Sequence, residues 1–205
     1  MTLLEIAKAI AASANFAVPI TVTGADPTNR DMINFRQFAN DTANELERRV
    51  DWASLRKQAP PLVGTGAAIT FTLPPDFSRL TEGNTVISNG QIVRGGISFD
   101  EWQQLPAATI GQPRYYLLSG NKIQFWPALS LAATAIVTYQ SLWWNTSTNI
   151  WVADADIALL KDDLILKGTI YRWIRHNGQQ FQDHMAEYEA ALTQISDYDM
   201  GSRSP

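Results

Sequence analysis

WVADADIALLKDDLILKGTIYRWIRHNGQQFQDHMAEYEAALTQI, residues 151–195, decides the fold. Its spacing predicts two helices separated by Asn177-Gly178, a pair suited to the positive φ on which helices end. The first helix is expected over Asp156–His176, with Asp154 or Asp156 as its N-cap. One apolar row runs through Ile157, Leu160, Leu164, Tyr171 and Ile174, a second through Leu159, Leu166, Ile170 and Trp173. At about 100° per residue the two rows cover most of the cylinder. Only a stripe of Lys161, Asp162, Thr169, Arg172 and His176 remains polar. A helix this apolar must be covered on more than one side, by its own domain or by a neighbouring subunit. The second helix has a single seam, Phe181, Met185, Tyr188, Leu192 and Ile195, as expected of a helix laid on one partner.

Upstream, Thr2 and Glu5 form a capping-box pair for a short helix whose apolar face is Leu3, Ile6, Ala7 and Ile10. Residues 15–25 make a connector. Asp26-Pro27 is expected to open a second helix, with Asp26 as N-cap and the seam Met32, Phe35, Ala39, Thr42, Leu46 and Val50. From about Trp52 the period changes. Ala67–Leu73, Asn84–Ser88, Gln91–Phe99, Arg114–Leu118, Lys122–Trp126 and Ala133–Gln140 are strand-like, and Ile150–Val152 is a last short candidate. Asn89-Gly90 and Ser119-Gly120-Asn121 mark hairpin turns. A helical turn begins at Glu101-Trp102.

The expected fold class is α+β: an antiparallel helical bundle, two N-terminal and two C-terminal helices, with an inserted antiparallel β subdomain. The expected boundaries are 1–55 for the N-terminal helices, 56–152 for the β subdomain, 153–196 for the C-terminal hairpin and 197–205 for a flexible tail.

Composition limits the function. With 205 residues, 45% of them hydrophobic, the chain can bury a sizeable core. It has no cysteine, which excludes disulfides and thiolate metal sites and fits synthesis in a reducing cytoplasm. The net charge of −4 arises wholly in residues 154–205, where nine acids face five bases. Nucleic-acid readers show the opposite, a basic stripe that displaces counterions from phosphates, so sequence-specific DNA binding is not expected. Ala12-Ser13-Ala14 looks like a cleavage site. No Lys or Arg precedes the apolar run, however, and Glu5 and Lys8 interrupt it, so neither secretion nor membrane insertion is expected.

Motifs with chemical meaning are weak. Gly64-Thr65-Gly66 lacks the third glycine of a dinucleotide loop and runs into a strand, so it reads as a turn. His184 and Glu187 could give two metal ligands from one helix face, yet no second such pair accompanies them. Asp154, Asp156, Asp162 and Asp163 lack the order of a calcium loop and suit the start of a helix. No Gly-x-Ser-x-Gly elbow supports a hydrolase. No catalytic, metal or cofactor residue is therefore assigned. Trp143 and Trp144 could stack on sugars, but core or interface burial accounts better for them. With Leu159, Leu166 and Trp173 they are the candidates for a subunit interface.

In order and spacing, the chain's motifs resemble the head-to-tail adaptor, or connector, proteins of tailed bacteriophages. The fragments are LLEIAKAI (3–10), DPTNRDMINFRQFANDTANELERRVDW (26–52), LPPDFSRL (73–80), ISFDEWQQL (97–105), YYLLSGNKIQFWPAL (115–129), VTYQSLWW (137–144), residues 151–178 and FQDHMAEYEAAL (181–192). Residues 15–25 and 103–113 carry little that matches. The resemblance implies a structural virion protein without enzymatic activity, made in the host cytoplasm and sited in the neck of the particle. It implies a homo-oligomeric ring of twelve beneath the portal protein, offering a platform to a tail nozzle, stopper or tail hub. Double-stranded DNA would pass through the lumen without specific binding. It also implies portal docking by the C-terminal helix and tail, which maps onto Phe181, Met185, Tyr188, Leu192, Ile195, Tyr198, Met200 and Arg203. Alternatives are a tail-tube, stopper or fibre-attachment protein, and a carbohydrate-binding β module.

Overall fold

The structure is a computed structural model that describes residues 1–14, 17–26, 28–83, 85–95, 97–106 and 109–201; for 13, 14 and 197–201 only the backbone is considered. The chain forms two compact units. A helical unit comprises Met1–Leu55 and Leu142–Pro205, and a β unit comprises Arg56–Ser141. Among the described residues five helices occur: α1 (Leu3–Ala14), α2 (Arg30–Arg49), α3 (Phe99–Gln103), α4 (Asp162–His176) and α5 (Gln182–Gly201). All but α3 belong to the helical unit.

Local chemistry sets several boundaries as expected. At α1 the capping box closes, with Thr2 N donating to Glu5 Oε2 at 2.7 Å and Glu5 N to Thr2 Oγ1 at 3.2 Å. Gly178 takes φ +68° after α4. Two other boundaries differ. The cap of α2 is Asn29, whose side chain accepts from Met32 N at 3.2 Å, while Asp26 turns the preceding loop by accepting from Thr28 N at 2.7 Å. Pro27 lies outside the described residues. Helix α4 begins at Asp162, with Lys161 before it, and not at Asp156. The reason is that Asp156 Oδ2 accepts from Val152 N at 2.7 Å and Ala153 N at 2.9 Å, which closes a loop. Ile157 then pairs with Thr2 and Ala158 with Asn145 in isolated bridges. Ile157 and Leu159 are therefore off the helix and exposed.

Helix α4 is central: it packs against α1, α2 and α5. The cover demanded by its apolar surface comes from its own chain. Gly168 faces Thr42, and His176 Nε2 lies 3.1 Å from Asn34 Nδ2, so α2 and α4 run in opposite directions. The core of this unit includes Leu3, Ile6, Phe35, Leu46, Leu164 and Tyr188, together with Trp52, Trp144, Trp151 and Trp173. The segment Leu142–Val152, expected to end the β region, belongs instead to this unit. No strand forms at 150–152; Trp151 N donates to Asn40 Oδ1 at 2.8 Å and its ring meets Trp144 edge-on, centroids 5.1 Å apart.

The β unit contains β1 (Arg56–Gln58), β2 (Leu62–Val63), β3 (Thr70–Thr72), β4 (Phe77–Leu80), β5 (Val86–Ser88) and β6 (Gln91–Ile92) before α3. After it come β7 (Ile110–Gly111), β8 (Tyr115–Ser119), β9 (Lys122–Trp126), β10 (Ala128–Leu129) and β11 (Thr134–Ser141). The longest strand, β11, is the spine. It takes β1 and β2 along one edge and β4 and β5 along the other, all antiparallel, and β6 extends the sheet from β5. A second antiparallel sheet runs β3-β9-β8. The two-residue pair β7-β10 is parallel. Both hairpin turns form, with φ of +50° at Asn89, +75° at Gly90 and +57° at Gly120. Gly64 is not a phosphate loop: a Cβ there would lie 2.2 Å from the Ser130 carbonyl oxygen, so the glycine permits close passage of two backbones. Val86, Val93, Ile123, Phe125, Val137 and Tyr139 help form a separate core.

Gly168 generates a prediction opposite to helix propensity. Gly→Ala inside a helix ordinarily gains ~1 kcal/mol. Here the added Cβ would lie 2.4 Å from Thr42 Cγ2 and 2.9 Å from Tyr188 Cε2. Overpacking of this kind costs about 1–3 kcal/mol. Gly168→Ala is expected to destabilise, seen as a lowered urea midpoint; a raised midpoint would contradict the close approach. Trp173, 4% exposed, is core. Its replacement by Ala should cost about 3–5 kcal/mol in the same measurement.

Candidate functional site

The two surface sets expected from the sequence separate clearly in the fold. On α5, Tyr188 and Leu192 are buried against the helical core, and Phe181 and Ile195 are half-buried. Arg175 lies over the Phe181 ring, 5.5 Å from its centroid. Only Met185, 41% exposed, is open to a partner. The seam is thus largely occupied by the chain's own core. The outward side of α5 carries Asp183, Ala186, Glu187, Ala190 and Gln194, all exposed. The side chains of Tyr198 and Met200, and all of Arg203, lie outside the described residues.

Among the subunit-interface candidates, Trp144 and Trp173 are interior. Trp144 Nε1 donates to Asn44 Oδ1 at 2.8 Å, so its polar end is already satisfied inside the chain. Trp143 and Leu166 are half-buried, and Leu159 is 41% exposed. Leu159 belongs to a surface feature with no periodic signature in the sequence. Within the 150–159 loop, Ile150, Val152, Ile157 and Leu159 are all exposed. Asp156 pins this loop from within, and Asp154 ties its root to the 21–23 segment. Asp154 Oδ1 accepts from Val22 N at 3.0 Å and Thr23 N at 2.7 Å. Burial alone would raise both carboxyls, but these hydrogen bonds outweigh it and hold them below the usual aspartate range. The acids read as helix caps are loop organisers.

A chain of ion pairs ties three helices together. Arg172 of α4 pairs with Glu45 of α2; Arg49 lies 3.0 Å from Glu45 and 2.8 Å from Glu189 of α5. Arg172 Nη1 also donates to Thr42 Oγ1 at 2.9 Å. In the β unit, Asp76 accepts from Lys57 at 2.7 Å, Tyr139 at 2.8 Å and Ser141 at 2.9 Å. Burial would raise this carboxyl, yet the three donors together lower it. Burial and the Asp76 carboxylate push the Tyr139 phenol far up. These groups hold strands to one another and present no open face for chemistry.

The histidines do not assemble a centre. His176 contacts Asn34 and packs beside Phe38, while His184 lies 3.9 Å from Glu187 on an exposed face. Among the described residues no three His, Asp or Glu side chains come close enough to hold a metal ion. No described helix is long and apolar enough to cross a membrane.

A family model described as SU10 adaptor protein matches residues 1–205. The chain belongs to that family. No curated protein sequence matches it. As a bacteriophage adaptor it is a structural virion component, and its work is contact with other head and tail proteins. The adaptor's fold is α+β, five helices and antiparallel sheets among the described residues.

The Asp76 network gives the adaptor a measurable acid limb. A depressed folded-state pKa contributes stability that is present above the unfolded value, near 3.9, and lost as pH falls through the folded value. Thermal unfolding below about pH 4 should therefore drop less steeply in Asp76→Asn than in the parent. At neutral pH the variant should be about 2 kcal/mol less stable, because an amide has one oxygen where the carboxylate offers two to Lys57, Tyr139 and Ser141. An unchanged acid limb would show that Asp76 does not carry it.

Proposed function

We propose that twelve copies of this adaptor form a ring between the portal protein and the tail, extending the DNA channel and giving a tail nozzle, stopper or hub its platform. The observation that carries this reading is the family match along residues 1–205. In it, the C-terminal hairpin faces the portal. Met185 supplies an open apolar contact, and the segment bearing Tyr198, Met200 and Arg203 provides anchors of types favoured at interface hot spots. Leu159, Trp143 and Leu166 are proposed as contacts between copies. The chain's acid surplus suits a conduit: where carboxylates face the lumen they repel phosphates, so duplex DNA slides and does not adhere. The protein carries no catalysis and takes no cofactor in this reading.

Purified adaptor mixed with purified portal rings tests the proposal by electron microscopy. Twelvefold rings stacked on the portal are expected, and a complex of another symmetry, or none, would overturn it. Deleting 196–205 should leave the thermal melt of the monomer nearly unchanged, since the core residues of α5 precede it, while portal capture falls at least about tenfold, the loss of one anchor of 1.4 kcal/mol or more.

A further inference from the structure

The β unit has a cleft of about 720 Å³ that the adaptor's assigned role does not use. Its lining includes Ile92, Arg94, Gln112, Arg114, Tyr115 and Trp126, with two cations and no acid. The backbone roots of the arginines are fixed. Arg94 N donates to the Arg114 carbonyl at 2.9 Å, Tyr116 N to the Arg94 carbonyl at 2.9 Å, and Arg114 N to the Trp126 carbonyl at 2.9 Å. The Tyr115 and Trp126 rings stack beside them, centroids 6.1 Å apart and 28° from parallel. Both guanidinium groups are exposed, and neither has an ion-pair or hydrogen-bond partner among the described residues. Ile92, 54% exposed, adds an apolar patch. Arginine beside stacked aromatic rings is the composition of an interface centre that takes carboxylates.

The complementary charge is on the same polypeptide. The helical unit holds sixteen Asp and Glu against ten Lys and Arg, while the β unit holds four against six. On the outward face of α5, Asp183 and Glu187 stand one turn apart, about 6 Å along the axis, and both are exposed. Ala186 and Ala190 flank them, so a second surface can approach closely. We propose that the cleft lined by Arg94 and Arg114 receives the Asp183–Glu187 face of α5 from a second copy of this chain. The contact joins two different patches and is therefore heterologous, the kind that propagates around a ring when the rotation closes. It rests on the ring reading above and names the partner surface within it. Duplex DNA fits less well: two cations neutralise few phosphates.

The full chain tests this by charge reversal, with Arg94→Glu/Arg114→Glu in one variant and Asp183→Lys/Glu187→Lys in another. Circular dichroism melts establish that each folds. Self-association is measured by mass photometry, alone and on purified portal rings. Each variant alone should associate on the order of 100-fold more weakly than the parent, since like charges are brought together. An equimolar mixture should regain association, because every contact between unlike variants then pairs opposite charges. Rings formed normally by Arg94→Glu/Arg114→Glu would overturn this contact and leave the ring reading standing. No regain in the mixture would overturn the α5 assignment. Parent protein that associates in neither setting would overturn the ring reading, and this contact with it. A duplex oligonucleotide bound by the parent and released by Arg94→Glu/Arg114→Glu would assign the cleft to DNA instead.

Discussion

Gly168 is the point at which α2 and α5 both reach the surface of α4. With no side chain there, the Thr42 methyl and the Tyr188 ring approach the α4 backbone together. That proximity places the Thr42 hydroxyl where it can accept from Arg172 while donating to the Phe38 carbonyl at 2.7 Å. Arg172 is then positioned for Glu45, and Arg49 links Glu45 to Glu189. The two layers do different things. Solvent-accessible ion pairs contribute about 0.2–1 kcal/mol each. Burying a large apolar side chain contributes about 1.5–3 kcal/mol, and this core buries many. The apolar contacts hold the helices together; the ion chain selects which turn of one faces which turn of the next.

Asp154 and Asp156 extend the same logic from helices to loops. A carboxylate offers several acceptor sites, and at both positions two backbone N–H groups donate to it. The donors to Asp154 are at Val22 and Thr23, far away in the chain, so the 21–23 connector is fastened to the start of the C-terminal segment. Leu3 N and Leu4 N donate to the carbonyls of Asp156 and Asp154, both at 3.2 Å, and bring the start of α1 to the same place. One Asp-x-Asp element thereby joins three stretches of backbone, and the exposed apolar loop 150–159 keeps a defined shape.

This explains which features could be read from the sequence. The α1 capping box, the Asn89-Gly90 and Gly120-Asn121 turns and the α2 seam depend on residues within a few positions of one another, and each formed. Asp154 and Asp156 do not cap α4: the donors to Asp154 lie far away in the chain, and those to Asp156 lie just before it, at Val152 and Ala153, where they close a loop and do not start a helix. Strands β1, β2, β4, β7 and β10 have two to four residues, too few for alternation to be visible, and exist because β11 or another strand pairs with them. Arg94 and Arg114 come together through pairing of distant segments, and nothing near either in the sequence marks it. The surplus of apolar surface on α4 demands cover, whereas Ile157 and Leu159, off the helix, stay exposed. Which molecule supplies that cover is tertiary information, and α1, α2 and α5 supply it.

That last point bears on how an adaptor meets its partners. Had Trp144, Trp151 and Trp173 waited for a neighbouring subunit, the free chain would expose three large rings and its folding would depend on concentration. Instead the rings are buried within one chain, and the β unit has a core of its own. Folding is thus separated from assembly. What the helical unit leaves at its surface is scattered apolar side chains such as Met185 and Leu159 among charged residues, the composition of a non-obligate interface. Such contacts are individually weak. Where several such contacts engage at once, each one formed raises the effective concentration of the next. In the proposed ring, a subunit held by such contacts would be released when misplaced and retained once its neighbours are in register.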